Sequence, residues 1–262
     1  MGSKSSKSKR PTSAKTGTDT VAVPTIPQEI IDEILDNLSA DSDLRSLQSC
    51  ALVSKSWVPS CRRHLFHTIL FTSTDMAKWL ETFLVPEESP AHQVRDLRFS
   101  IGKYDSPREK FFEYAPWFTN VERITLLGYG CLQPLWMSSF RWLSQSVNSL
   151  TIGADMIAIV QIQDIMARLP NLDNLSLSGS LVAVDMNPLI GTCPVLKGRF
   201  GGKLRLLRGH ASAGIVDTLL EIPTGLHFTE VEIRSAHECL LSTVRLVEAY
   251  TKTLVKLSYT VS

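Results

Sequence analysis

The chain has 262 residues, with 27 lysines and arginines against 26 aspartates and glutamates, and a net charge of +1. Hydrophobic residues make up 44% and charged residues 20%, as in an ordinary globular chain of one or two domains. No run approaches the ~18 apolar residues of a membrane-spanning helix, no apolar signal segment follows the first basic residues, and five scattered cysteines (Cys50, Cys61, Cys131, Cys193, Cys239) form no disulfide framework. Multi-pass membrane, collagen-like and disulfide-rich secreted classes are excluded. A reducing intracellular compartment, cytoplasmic or nuclear, is expected.

Residues 1–24 read as a disordered basic leader, poor in apolar side chains. In its first twenty residues Lys4, Lys7, Lys9, Arg10 and Lys15 face only Asp19, while the remaining chain carries 22 basic and 25 acidic residues. A slightly acidic body gives no signature of a nucleic-acid partner. Met1-Gly2-Ser3-Lys4-Ser5-Ser6 fits the N-myristoylation pattern, with basic residues close behind as a second membrane signal. Lipidation at Gly2 is the only route to a membrane that the sequence offers. The other reading is an ordinary basic leader.

Residues 25–67 are expected to form a small helical domain. Ile30, Ile31, Ile34, Leu35 and Leu38 share one helical face after Pro27, a residue suited to a first helical turn. Glu29, Asp32 and Glu33 lie where the helix dipole favours acids, and the acidic run 29–36 reads as a solvated face. A polar break at 39–43 precedes a second helical pattern through Leu44, Leu47, Cys50, Ala51, Val53 and Trp57, ending at Pro59. A third short piece, 61–66, leads into a strand-forming run, Thr68-Ile69-Leu70-Phe71.

Ile26-Pro27-x-Glu29-Ile30, the Ile34-Leu35 pair, the Leu44 to Leu47 turn and Val53-Ser54-Lys55-Ser56-Trp57 together resemble an F-box, over about a quarter of the chain. His64-Leu65-Phe66-His67-Thr68-Ile69 is similar to the same stretch of large fungal F-box families. The resemblance implies a trihelical unit that docks on the Skp adaptor, and through it on the cullin, of an SCF-type ubiquitin ligase. It assigns Pro27, Ile30, Ile34, Leu35, Leu47, Val53 and Trp57 to the motif, some facing the adaptor and others the unit's own core.

From residue 68 to 262 the chain repeats. Seven segments alternate two apolar residues: Leu97-x-Phe99, Ile124-x-Leu126, Leu150-x-Ile152, Leu175-x-Leu177, Leu204-x-Leu206, Val231-x-Ile233 and Leu257-x-Tyr259. Three residues upstream sit Val94, Val121, Val147, Leu172, Gly201, Phe228 and Leu254. This spacing is the core pattern of a leucine-rich repeat. Helical patterns at 108–118, 140–147, 157–169, 215–222 and 239–250 fill the gaps. The expected fold class is therefore α/β: a trihelical F-box followed by a curved, irregular leucine-rich-repeat solenoid with parallel strands. An α/β domain with another strand order is the competing reading. The consensus Asn/Cys is replaced by Gly102, Tyr129, Asp155, Ser180, Gly209, Ala236 and Ser262, so its turn must be braced differently.

Catalytic chemistry is not apparent. Gly198 to Leu204 lacks both the spacing and the hydroxyl of a phosphate loop. Cys61, His64 and His67 are metal-type residues without a fourth ligand nearby. No Gly-x-Ser-x-Gly elbow occurs, and the five tryptophans read as packing residues. No cofactor or metal is expected, and an enzymatic role ranks last.

Interleaved strand positions must face away from the core. Arg98, Arg123, Thr125, Lys203, Arg205, Glu232 and Arg234 are thus candidates to line a concave face that binds a protein target, acidic or phosphorylated, with Leu127 and Leu207 its large apolar members. The chain stops at Ser262, three residues past Tyr259. A solenoid whose last strand lacks a cover is expected to be a fragment, a truncated gene product, or a protein whose last edge meets a partner. The expected function is a non-catalytic target receptor of the ligase. The alternative is a ligase-independent repeat scaffold, membrane-tethered if Gly2 is acylated.

Overall fold

The computed structural model describes residues 26–40, 43–83, 85, 87–101, 115–128, 145–154, 168–178, 202–207, 219–220, 227–235 and 240–261. The basic leader with Gly2, most of the inter-strand helical patterns and all seven degenerate consensus positions lie outside these residues. Among the described residues, no helix is long and apolar enough to cross a membrane.

Three helices open the chain: α1 (Gln28–Ala40), α2 (Leu44–Val53) and α3 (Val58–Leu65). Pro27 stands one place earlier than its first-turn assignment, and its carbonyl accepts from the Ile30 and Ile31 N–H groups at 3.2 and 3.3 Å. Asp43 caps α2 by accepting from the Ser46 N–H at 3.0 Å. Ile31, Leu35, Leu47 and Cys61 form a closed core, with Leu38, Cys50, Ala51, Trp57 and Leu65 packed around it. The acidic face of α1 is not wholly solvated. Ser60 Oγ donates to Asp32 Oδ1 at 2.8 Å, and Arg63 reaches Asp36 at 3.5 Å, so two acids tie α1 to α3.

The remainder is one open sheet of eight parallel strands in strict sequence order. They are β1 (Thr68–Phe71), β2 (Asp96–Ile101), β3 (Arg123–Gly128), β4 (Ser149–Ala154), β5 (Asn174–Ser178), β6 (Lys203–Leu207), β7 (Glu230–Ser235) and β8 (Lys256–Val261). The first is a strand beyond the seven counted: Ile69 pairs with Leu97 and Phe71 with Phe99. Two described helices accompany the strands, α4 (Ser73–Thr82) and α5 (Leu240–Tyr250). A capping box between Thr72 and Asp75 starts α4.

The apolar pairs of β2 through β7 all point into one core, together with Val94, Val121, Val147, Leu172 and Phe228. The last strand departs from this rule. Leu257 is 45% exposed and Tyr259 only half-buried, because among the described residues no element lies beyond β8. At the opposite end the core is aromatic. Trp79 of α4 stacks edge-on against Phe71 at 5.5 Å and lies 4.7 Å from Phe83. Phe66, directly after α3, meets Trp79 at 6.1 Å, so the helical unit joins the sheet through packed rings.

A repeated backbone device brackets the strands. The carbonyls of His67, Arg95, Glu122, Asn148 and Thr229 each accept two consecutive N–H groups from the following repeat, and those of Asp173 and Gly202 accept one there. Side chains reinforce it: Asn120 Nδ2 donates to the His92 carbonyl at 2.6 Å, and Asn171 Nδ2 to the Gln145 carbonyl at 2.8 Å. Each repeat is thereby fastened to its predecessor ahead of the strand. Gly202 is required in this position, since a Cβ there would overlap the Asp173 carbonyl.

Candidate binding surfaces

The structure sorts the motif residues of the helical unit into two sets. Leu35 and Leu47 are fully buried and Trp57 packs against them, so these hold the unit together. Ile30 and Ile34 are 47% and 42% exposed, one turn apart on α1, and Val53 is 68% exposed at the end of α2. Pro27 is also exposed. Ile26 and Leu44, quoted in the pattern but not among its seven assigned residues, join this second set, as does Leu52 outside the pattern, which is 88% exposed. The helical face read as continuous is therefore split. Ile31 and Leu35 turn inward, while Ile30 and Ile34 face outward, a division set by where α2 and α3 pack.

The metal-type residues serve this packing. Cys61 is buried in the helical core, and the loss of hydration raises its thiol pKa. His67 Nδ1 lies 3.3 Å from Thr68 Oγ1. His64 Nε2 is 3.0 Å from Asp36 Oδ1, without an aligned hydrogen bond. Burial and the neighbouring Arg63 charge hold its pKa below the usual imidazole value, against the pull of Asp36. Among the described residues, no three metal-type side chains converge.

The second surface is the face of the sheet away from the core. Register aligns its side chains in rows that cross the strands. One row runs Asp96, Arg123, Ser149, Asn174, Lys203, Glu230, Lys256, and the next runs Arg98, Thr125, Thr151, Ser176, Arg205, Glu232, Ser258. Charged strands thus flank two neutral ones. A third row begins Ser100, Leu127, Gly153, Ser178. A Cβ on Gly153 would come 2.9 Å from Leu127 Cδ2 and 3.0 Å from Ser178 Oγ, so glycine gives Leu127 its room.

The basic residues expected on this face are present, but most are already paired. Arg98 binds Asp96 with a contact of 2.8 Å, which raises its own pKa; Asp96 itself is buried rather than displayed. Lys203 holds Glu230 at 2.8 Å, and its hydrogen bond pulls that carboxyl below the usual range. Glu232 bridges two guanidinium groups, Arg205 at 3.0 Å and Arg234 at 2.8 Å. Burial would raise Glu232, but the Arg234 hydrogen bond and the Arg205 charge outweigh it and leave its pKa lowered. Arg123 is exposed, and among the described residues its side chain has no ion-pair partner. Alternation revealed which residues share the face, whereas the pairings depend on cross-strand register. Thr125 lies half-buried beside Arg98 and Thr151, as its row position requires.

The chain matches no protein-family model, and no curated protein matches it in sequence.

Proposed function

We propose that this chain is the non-catalytic target receptor of an SCF-type ubiquitin ligase, with residues 26–66 acting as an F-box on the Skp adaptor and the sheet acting as a leucine-rich-repeat platform for the target. One observation carries the reading. Ile30, Ile34 and Val53, three residues of the F-box-like pattern, are exposed on a unit whose own apolar core is complete without them. Large apolar side chains left in water on an otherwise closed unit mark an interaction surface. Eight parallel strands in sequence order, stitched by carbonyls that recur every 25–29 residues, support the repeat half of the reading. Acceleration would come from holding target and ligase together, not from groups on this chain.

The test is co-purification of the full chain with a Skp-type adaptor. The Ile30→Glu/Ile34→Glu variant is expected to lose the adaptor while keeping its far-ultraviolet circular dichroism. A wild-type chain that recovers no adaptor favours the ligase-independent scaffold instead.

A further inference from the structure

The pairing on the open face leaves an uneven residue of charge. Six basic and two acidic side chains are displayed on it, with Asp96 buried beside Arg98, and each of these three acids is held by a basic partner. Among the described residues, Arg123 on β3 and Lys256 on β8 have no ion-pair partner. Three strands from Arg123, Arg205 approaches Glu232 with its Nε at 3.0 Å, on a side chain that is 49% exposed. Between these two arginines lie the hydroxyl and amide side chains of β4 and β5, with no charge and little bulk. Glu232 fixes the direction of the Arg205 guanidinium, so less of its freedom remains to be lost when an anion arrives.

We propose that the open face between β3 and β6 binds an extended polypeptide segment lying across the strands, with two anionic side chains about four residues apart, one on Arg123 and the other on Arg205. The spacing follows from geometry. Three inter-strand steps of about 4.8 Å and a two-residue offset along the strand of about 6.6 Å set the two arginines roughly 16 Å apart; four residues of an extended chain, at about 3.3 Å each, put two side chains on one face about 13 Å apart, a gap that the long arginine side chains span. Serine, threonine and asparagine beneath the intervening residues supply donors and acceptors. A nucleic acid suits this face poorly. The fixed carboxylates of Glu230 and Glu232 repel a continuous phosphate chain, and no aromatic side chain stands at the described open-face positions to stack a base. The inference rests on reading the sheet as the target platform and is independent of adaptor docking.

The experiment is fluorescence anisotropy of the full chain with labelled Gly-Ser peptides. One carries two glutamates about four residues apart, one carries phosphoserines at the same places, one carries adjacent glutamates and one carries glutamines. The spaced anionic peptides are expected to bind most tightly. A phosphoserine preference identifies phosphate as the natural anion, equal binding identifies carboxylate, and both support the proposal. Arg123→Gln and Arg205→Gln should each weaken binding by about fivefold, the worth of a good exposed ion pair. Arg123 has no side-chain ion-pair partner among the described residues, and Glu232 keeps Arg234 when Arg205 is replaced. Lys256→Gln, on the same face two strands beyond β6, should leave binding unchanged. Glutamine or adjacent-glutamate peptides binding as well as the spaced pair, indifference to Arg123→Gln, or tighter capture of a short single-stranded RNA would each overturn the proposal. None of these results bears on adaptor binding, which Ile30→Glu/Ile34→Glu tests separately.

Discussion

The three-helix unit and the strand sheet handle their apolar residues in opposite ways. The helical unit closes a core of four fully buried side chains and leaves Ile30, Ile34, Leu52 and Val53 in water. The sheet sends its paired apolar positions to a long shared core and presents charge and hydroxyl groups on its other face. Under the function proposed above, the difference would mean two kinds of docking on one chain. The first surface would gain affinity by removing apolar area from water, an effect that salt does not weaken. The second would work through ion pairs, which salt screens.

That contrast is broken most severely at Leu35. The helical core is so small that Leu35→Ala removes a quarter of its fully buried members, at a cost of about 2–5 kcal/mol. Urea unfolding should show the helical transition moving far to lower denaturant while the sheet transition stays in place. If both transitions move together, the two regions fold as one unit and the division drawn here fails. A smaller effect is expected in the sheet from Gly202→Ala, whose methyl group would overlap the Asp173 carbonyl and loosen the step from β5 to β6 at a cost of about 1–3 kcal/mol. Here the sheet transition should fall and adaptor binding should persist. An unchanged urea midpoint would mean that the close approach is not needed.

The finest distinction comes from pH. His64 joins α3 to α1, and its folded pKa lies below its ordinary value of 6.5, chiefly because burial disfavours the charged ring. A depressed histidine means that the unfolded chain binds the proton more readily. The corresponding stability is complete above about 6.5 and fades as pH falls through that value toward the lower folded one. The groups facing the ring are Arg63, Asp36, His67 and Asp32. Asp32 has a lowered pKa through Ser60 and Gln28, so it remains ionised across this window. The urea midpoint of the helical unit should therefore drop between pH 7.5 and 5.5, and His64→Gln should remove most of the drop. A midpoint that rises on acidification would show the Asp36 attraction to be dominant.

Much of the sheet was legible because period-two alternation and even spacing are properties of the chain itself. The buried pairs from Leu97 to Ile233 appear where that pattern places them. Thr68–Phe71 fits the same rule, since Ile69-x-Phe71 precedes Leu97-x-Phe99 by 28 residues, although the seven aligned segments begin only at Leu97. Its neighbour on one side is a helix rather than another repeat, and that hid the continuity. Leu257 followed the pattern but not the burial, because burial requires a neighbour that periodicity cannot supply. On α1 the apolar residues form a stripe too broad to divide by sequence. Only the positions of α2 and α3 separate Ile31 and Leu35 from Ile30 and Ile34. The ion pairs of Arg98, Lys203, Arg205 and Arg234 were illegible for a similar reason. Two of them join adjacent strands through register, and the other two depend on rotamers within a strand.

Calorimetric titration of the purified full chain with a purified Skp-type adaptor tests the central claim most directly. The account predicts a saturable one-to-one complex with a negative heat-capacity change, the mark of buried apolar surface. Ile30→Glu/Ile34→Glu should abolish it, and Arg123→Gln should leave it untouched. A wild-type chain that gives no binding heat over a range of temperatures, or a double variant that binds as the wild type does, would contradict it.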